Sequence, residues 1–265
     1  MAALLNFIYS SFNNHPYKKA FISNPPGPAI ILFSNNTVFP KLSGIAVVKE
    51  KNMSNPNSNQ ENSSSLISTI VENIRSNSFV PSLNIEYDFT DLNDTNHSLY
   101  INGNQYNVTD GGKLIASTFS IEIGPEVPKA VTSTEAVKDP FHLWSSDLFD
   151  GHLVKKIDLD LVIVDTANHT ISTLVEIKRS DKADFDKWKP YQADYNNYAM
   201  MLSLSDALGT KFITIHHNEM LNRVIDPTKL VNIYSYIANS SMNWESFRDL
   251  QNRLQLSAQK AVDLL

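Results

Sequence analysis

Apolar and polar positions change period several times along the 265 residues. Residues 1–12 predict a short helix, and "PAIILF" and "SGIAVVKE" predict strands separated by the breakers "SNPPGP" and "NNTVFP". "NMSNPNSNQENSSS" (52–65) carries almost no apolar residue and reads as a loop or linker. Leu66, Ile67, Ile70, Val71 and Ile74 then fall at helical spacing. From Leu83 to Gly124 the pattern predicts strands: "NIEYDF", a hairpin in "SLYINGNQYNV", and "KLIASTFSIEIG". Residues 125–150 are mixed, with room for a short helix.

After His152 the pattern becomes regular. A strand over about 153–165, the turn "TANHT" and a strand over about 170–178 predict a hairpin. Pro190 opens a helix that ends at Gly209, a good C-cap, and "KFITIHH" (211–217) predicts another strand. "PTKLVNIYSYIANS" and "NWESFRDLQNRLQLSAQKAVDLL" read as terminal helices, the second amphipathic. Strand, strand, helix, strand predicts an α/β fold with a mixed β-sheet flanked by helices. The chain divides on this reading into a β-rich N-terminal region (1–150), for target recognition or oligomerisation, and a core with C-terminal helices (151–265).

Composition narrows the chemistry. The chain has no cysteine, which excludes disulfides, thiolate catalysis and iron–sulfur clusters. A net charge of −6 argues against a uniformly basic surface, and with only five arginines lysine must supply most phosphate contacts. No apolar run approaches the roughly 18–20 residues of a membrane span. A cytoplasmic protein with no membrane partner is the expectation, and the apolar face of the last helix suggests a homodimer.

The predicted hairpin carries the candidate chemistry. "IDLDLVIVD" places Asp158 and Asp160 on one face of the first strand, and "LVEIKRS" places Glu176 and Lys178 on one face of the second. With Ala167–Asn168–His169 as the loop, Asp160 lies opposite Glu176 and Asp158 opposite Lys178. Adjacent carboxylates repel, and a divalent cation resolves the repulsion. Hard oxygen ligands suit Mg²⁺, with Mn²⁺ able to substitute. A lysine amine beside them orients or deprotonates a water and stabilises charge on a phosphate. Cation, water and phosphate together point to phosphodiester hydrolysis.

An Asp at the head of a strand, a turn, then Glu176-Ile177-Lys178 resembles the PD-(D/E)xK nuclease superfamily, with its restriction-endonuclease-like fold. Leu159-Asp160 stands where that family often has Pro-Asp, and "YQADYNNY" resembles the Gln-then-Tyr motif of its exonuclease-like branch. The likeness spans roughly 152–217. It implies that Asp160 and Glu176 hold the metal, that Lys178 activates or positions water, and that Gln192 and Asp158 assist. If the helix near 66–75 is the family's first core helix, Glu72 is a candidate accessory acid.

Lys155, Lys156, Arg179, Lys182, Lys187 and Tyr195 are candidate nucleic-acid contacts, although the stripe Tyr191, Tyr195, Tyr198, Leu202 reads more readily as core packing. His216 and His217 point to opposite faces and read as structural. The function implied is a Mg²⁺-dependent nuclease acting on DNA. Two other classes remain open: a non-catalytic nucleic-acid-binding or assembly protein, and a metal-dependent hydrolase of small phosphate esters.

Overall fold

The computed structural model describes residues 3–23, 27–35, 40–51, 61–89, 98–124, 140–149, 154–180, 185–218, 227–236 and 252–265. In chain order the elements begin α1 (Ala3–Asn13), β1 (Lys18–Ile22), β2 (Ala29–Asn35), β3 (Leu42–Glu50), α2 (Glu61–Ser78) and β4 (Ser82–Asp88). They continue β5 (Ser98–Ile101), β6 (Asn104–Asn107), α3 (Val108–Phe119), α4 (Pro140–Leu148), β7 (Val154–Asp158) and β8 (Leu161–Asp165). The last are β9 (Thr170–Arg179), α5 (Tyr195–Leu208), β10 (Lys211–His217), β11 (Leu230–Ser235), β12 (Asn252–Ser257) and α6 (Ala258–Asp263). The class is mixed α/β.

Two compact units form, and neither is a continuous stretch of chain. One comprises Met1–Ile22, Glu61–Ser78 and Leu159–Leu265; the other comprises Ser23–Gln60 and Phe79–Asp158. The division differs from the expected cut at 150, because α1, β1 and α2 join the C-terminal part.

The first unit is built on a six-stranded sheet in the order β1-β8-β9-β10-β11-β12. β9 and β10 run parallel, joined by α5 as the crossover, and the other neighbours are antiparallel. Helices cover both faces. Leu4, Ile8 and Phe12 of α1, with Ala258, Ala261 and Val262 near the chain end, pack on Leu161, Ile163, Val175, Ile213, Ile215, Val231 and Ile233. α2 and α5 pack on the opposite face, against β9 and each other. Leu161, Val162, Ile163 and Val164 are all fully buried, as a strand covered on both faces requires. Each contributes about 1.5–3 kcal/mol by burial, so this apolar run fixes the place of β8 and of Asp160 at its head.

The second unit holds a sheet in the order β6-β5-β4-β3-β2-β7, with α3 and α4 over an aromatic core that includes Phe33, Tyr87, Phe119, Phe141 and Phe149. The β5–β6 hairpin turns on Asn102-Gly103, both at positive φ, the pairing a two-residue turn favours.

Several elements depart from the sequence expectations. "KLIASTF" is helical in α3, not a strand: Asn107 caps it by accepting from the Asp110 N–H at 2.8 Å. The Gly-Gly pair in its first turns serves close packing, since a Cβ on Gly112 would sit 2.4 Å from Leu148 Cδ2. "LVNIYS" and "NRLQLS", expected to be helical, are the paired strands β11 and β12. Their period is two: Val231 and Ile233 enter the core with α1, while Asn232 and Tyr234 face the other way. Of the apolar positions ascribed to a last long helix, Leu256 and the α6 residues Ala258, Ala261 and Val262 pack on this unit's core, while Leu254 and Leu264 stay about half exposed. Residues 52–60 of the expected linker lie outside the described residues, and Glu61 already belongs to α2. Among the described residues no helix is long and apolar enough to cross a membrane.

Because Phe119 packs over Gly44, with its ring 2.0 Å from where a Cβ would stand, Gly44→Ala should destabilise the protein. The expected loss is about 1–3 kcal/mol, read by denaturant unfolding. A variant as stable as wild type would refute this packing.

Candidate active site

The expected continuous strand over 153–165 is two strands. β7 pairs with β2 in the second unit's sheet, β8 with β1 and β9 in the first's, and the chain changes sheets at Leu159-Asp160. Asp158 is therefore not opposite Lys178: its register partner is Ile31 on β2. Lys155 and Lys156 go with it. The Lys156 ammonium donates to the His142 carbonyl and to Ser145 Oγ within that unit.

The register leading to Asp160 differs from the expected one in two places. The hairpin loop has four residues, Thr166–His169, because Asp165 pairs with Thr170. Asp165 Oδ1 accepts from the Ala167 and Asn168 N–H groups at 2.9 and 3.1 Å, and His169 takes φ 53°. A bulge at Ser172 then shifts the register by one residue, so Ile163 pairs with Thr173 and Leu161 with Val175. Continued by one rung, that register would set Asp160 against Glu176. Asp160 Oδ2 accepts from the Ile177 N–H at 3.0 Å, which fixes the carboxylate between Glu176 and Lys178 along the chain.

Lys178 Nζ lies 2.8 Å from Glu176 Oε1 and 3.2 Å from Asp194 Oδ2. All three side chains are largely shielded, at 22%, 13% and 30% exposure respectively. Burial alone would lower the Lys178 pKa, but the Glu176 and Asp194 carboxylates outweigh it and hold the amine above the ordinary lysine value. Lys178 is a charged donor here, not a base, which narrows its role to orienting a water or a phosphate oxygen. Behind it the Tyr198 ring centroid lies 5.9 Å from the ammonium. Burial raises the Tyr198 and Tyr236 phenols far beyond neutral pH, so both remain uncharged. Tyr236 donates to Thr214 Oγ1 at 2.8 Å.

Asp194 is the residue that sequence reasoning missed. Pro190 suggested a helix beginning there, which placed Asp194 in its interior. In the structure a 3₁₀ turn covers Gln192–Asp194 and α5 starts at Tyr195. Asp194 occupies the N-cap position without a side-chain cap bond and turns its carboxylate to Lys178 instead.

The other sequence candidates are placed as follows. Gln192 is exposed on the 3₁₀ turn, two residues from Asp194. Glu72 is exposed on α2, paired with Arg75 at 3.5 Å. Its neighbour Asn73 bonds the His169 carbonyl and the Ile171 N–H at the turn end of the hairpin. From Ile171 to Glu176 is roughly 16 Å of strand, so α2 does not bring Glu72 to the acids. Tyr195 is buried, as is Tyr198, so neither is presented for base stacking, while Tyr191 is 48% exposed. Arg179 and Lys187 are exposed, and Lys182 lies outside the described residues.

Next to Lys178 in the sheet, on the same face, a second polar group has formed. His216 registers with Lys178 on one side and Asn232 on the other. Its ring is stacked between Trp188 at 4.2 Å and Phe185 at 5.3 Å. Asn232 Nδ2 donates to the Phe185 carbonyl at 3.0 Å, and Asn232 Oδ1 accepts from Arg253 Nε at 3.2 Å. This fixes the amide with its nitrogen toward His216 Nδ1, 3.2 Å away, and leaves the ring proton on Nε2, which donates to Ser180 Oγ at 3.0 Å. Ser180, His216 and Asn232 thus have the spacing of a nucleophilic triad but the wrong tautomer, and all three are buried. The group instead pins residues 185–188, which lead to Asp194; the Tyr234 hydroxyl also bonds the Trp188 carbonyl.

The donor set suits a hard divalent cation. Asp160 and Glu176 supply hard carboxylate oxygens, Asp160 Oδ2 accepting from the Ile177 N–H and Glu176 Oε1 lying against Lys178 Nζ. Among the described residues no group of three or more His, Cys, Asp or Glu converges. A cation there would be held by two protein carboxylates, with water or substrate oxygens completing its shell.

No family model matches the sequence, and no curated protein matches it. Among solved structures the chain is similar to the precursor of the sex pheromone staph-cAM373, at 10% identity and a TM-score of 0.17, over 96% of this chain and 90% of that one. That likeness is too slight to carry an argument.

Burial, with His217 and Arg253 adding to it, lowers the His216 pKa to about 4 from an ordinary 6.5. Between those values the unfolded chain binds a proton that the folded protein refuses. Stability from this group is therefore complete above about pH 6.5 and is lost as pH falls toward 4. Urea unfolding at pH 7.5 and 5 should show a loss on the order of 2 kcal/mol that His216→Phe, which still stacks, largely removes. Equal slopes in the two proteins would contradict the buried neutral histidine.

Proposed function

We propose that the protein is a Mg²⁺-dependent nuclease of PD-(D/E)xK type that hydrolyses phosphodiester bonds in DNA. The bond from the Ile177 N–H to Asp160 carries the reading, because it joins the head of β8 to the Glu-x-Lys end of β9. Supporting it are the hairpin leading through α5 into a parallel strand, and the helices on both faces of the sheet, as a restriction-endonuclease-like core would have.

Asp160 and Glu176 would hold the cation. Bound there, Mg²⁺ supplies Lewis-acid stabilisation of charge on the phosphoryl oxygens. Lys178 remains protonated and donates to a phosphate oxygen or to the attacking water, placing fixed positive charge where negative charge develops. Tyr198 and Tyr236 form a low-dielectric wall behind the acids, which strengthens that interaction. Arg179 and Lys187, exposed at the same end of the sheet, offer phosphate contacts that orient the strand without reading its sequence.

Purified protein should cleave plasmid DNA with Mg²⁺ or Mn²⁺ and not with EDTA. Asp160→Asn and Glu176→Gln should each remove that cleavage while leaving the protein folded. Lys178→Ala should lower kcat on the order of 100–1,000-fold and keep most cation affinity, because an ammonium is not a ligand. Undiminished cleavage by any of the three would refute the site. Hydrolysis of small phosphate esters but not of DNA, RNA or single strands would replace the substrate class.

Asp158 separates two registers. It lies on β7 and pairs toward β2, so Asp158→Asn should retain appreciable cleavage where Asp160→Asn retains almost none. The reverse order would overturn the assignment of Asp160.

A further inference from the structure

We infer that Asp194 is a positioning residue for Lys178, holding its ammonium over the site when Glu176 turns to a metal ion; this rests on the nuclease reading above. A single carboxylate cannot fully serve an ammonium and a divalent cation together. When a cation binds Glu176, its charge repels Lys178, and the flexible four-carbon stem lets the amine swing to solvent. Asp194 supplies a second anion to the same ammonium, 3.2 Å from Nζ against 2.8 Å for Glu176.

Three observations make this a built contact. Asp194 stands directly before α5, where an aspartate ordinarily caps the helix, yet it makes no cap bond. Its backbone is set by the 3₁₀ turn, with the Asp194 N–H donating to the Tyr191 carbonyl at 3.1 Å. Tyr191 in turn packs edge-on against Trp188, which is stacked on the buried His216. The carboxylate is thus placed by the sheet on which Lys178 itself stands.

Lysine ammonium signals in ¹H–¹⁵N spectra survive exchange only when the group is held in an ion pair, and Lys178→Arg identifies the resonance. The Lys178 signal should be present in the wild type and in Glu176→Gln, and absent from Glu176→Gln combined with Asp194→Ala. Its absence from the wild type or from Glu176→Gln alone, or its persistence in the double variant, would overturn the role of Asp194. No cation or cleavage enters that measurement, so it stands even if the protein cleaves nothing. In the cleavage assay Asp194→Ala should lower kcat on the order of 100-fold with KM little changed, and Asp194→Asn, still an acceptor, should recover part. A wild-type kcat in Asp194→Ala would overturn the role, whereas inactivity of the wild type itself would defeat the nuclease reading alone.

Discussion

Negative charge concentrated at the open end of one hairpin is the constraint on which the site depends. Asp160, Glu176 and Asp194 come within reach of one peptide N–H and one ammonium. Left uncompensated, they would repel one another. The Ile177 N–H engages the first and Lys178 the other two, which offsets part of their charge. The same arrangement determines what the lysine can do. An amine held charged by two carboxylates cannot take a proton from water, and its contribution is a fixed positive charge.

Rigidity behind the charges comes from apolar burial. The run Leu161–Val164 locks β8 between two helical layers, and Asp160 has no freedom of register while those side chains remain in the core. Across the sheet, the stack of Trp188, His216 and Phe185 anchors the segment leading to Gln192 and Asp194. A row of polar residues on one face, Lys178, His216, Asn232 and Gln255, runs through register partners from the acids to the edge strand. Most of that row is structural.

The hairpin was legible in the sequence because its two strands alternate cleanly and are bounded by turn residues. The hairpin loop is one residue longer than expected, and the Ser172 bulge, which no local signal announces, cancels the difference in register from Ile163 onward. Asp158 was misplaced because strand alternation cannot reveal that a chain crosses between sheets at Leu159-Asp160. Asp194 was hidden by Pro190, a strong helix-start signal that here precedes a 3₁₀ turn. In β11 and β12, short runs fit a helical period nearly as well as a period of two. Pairing with β10 decided them as strands, a nonlocal fact. That the chain between β1 and β8 builds most of a second unit was likewise invisible, since which strands pair is a nonlocal fact.

Cation binding at the two hairpin carboxylates is the claim from which the chemistry follows, and Mn²⁺ titration followed by electron paramagnetic resonance addresses it without any substrate. The wild type should take up about one Mn²⁺ per chain, competed by Mg²⁺, as expected of a site of two hard carboxylates. Asp160→Asn combined with Glu176→Gln, verified as folded, should lose that binding. Equal Mn²⁺ uptake by the double variant and the wild type, or none by either, would contradict it.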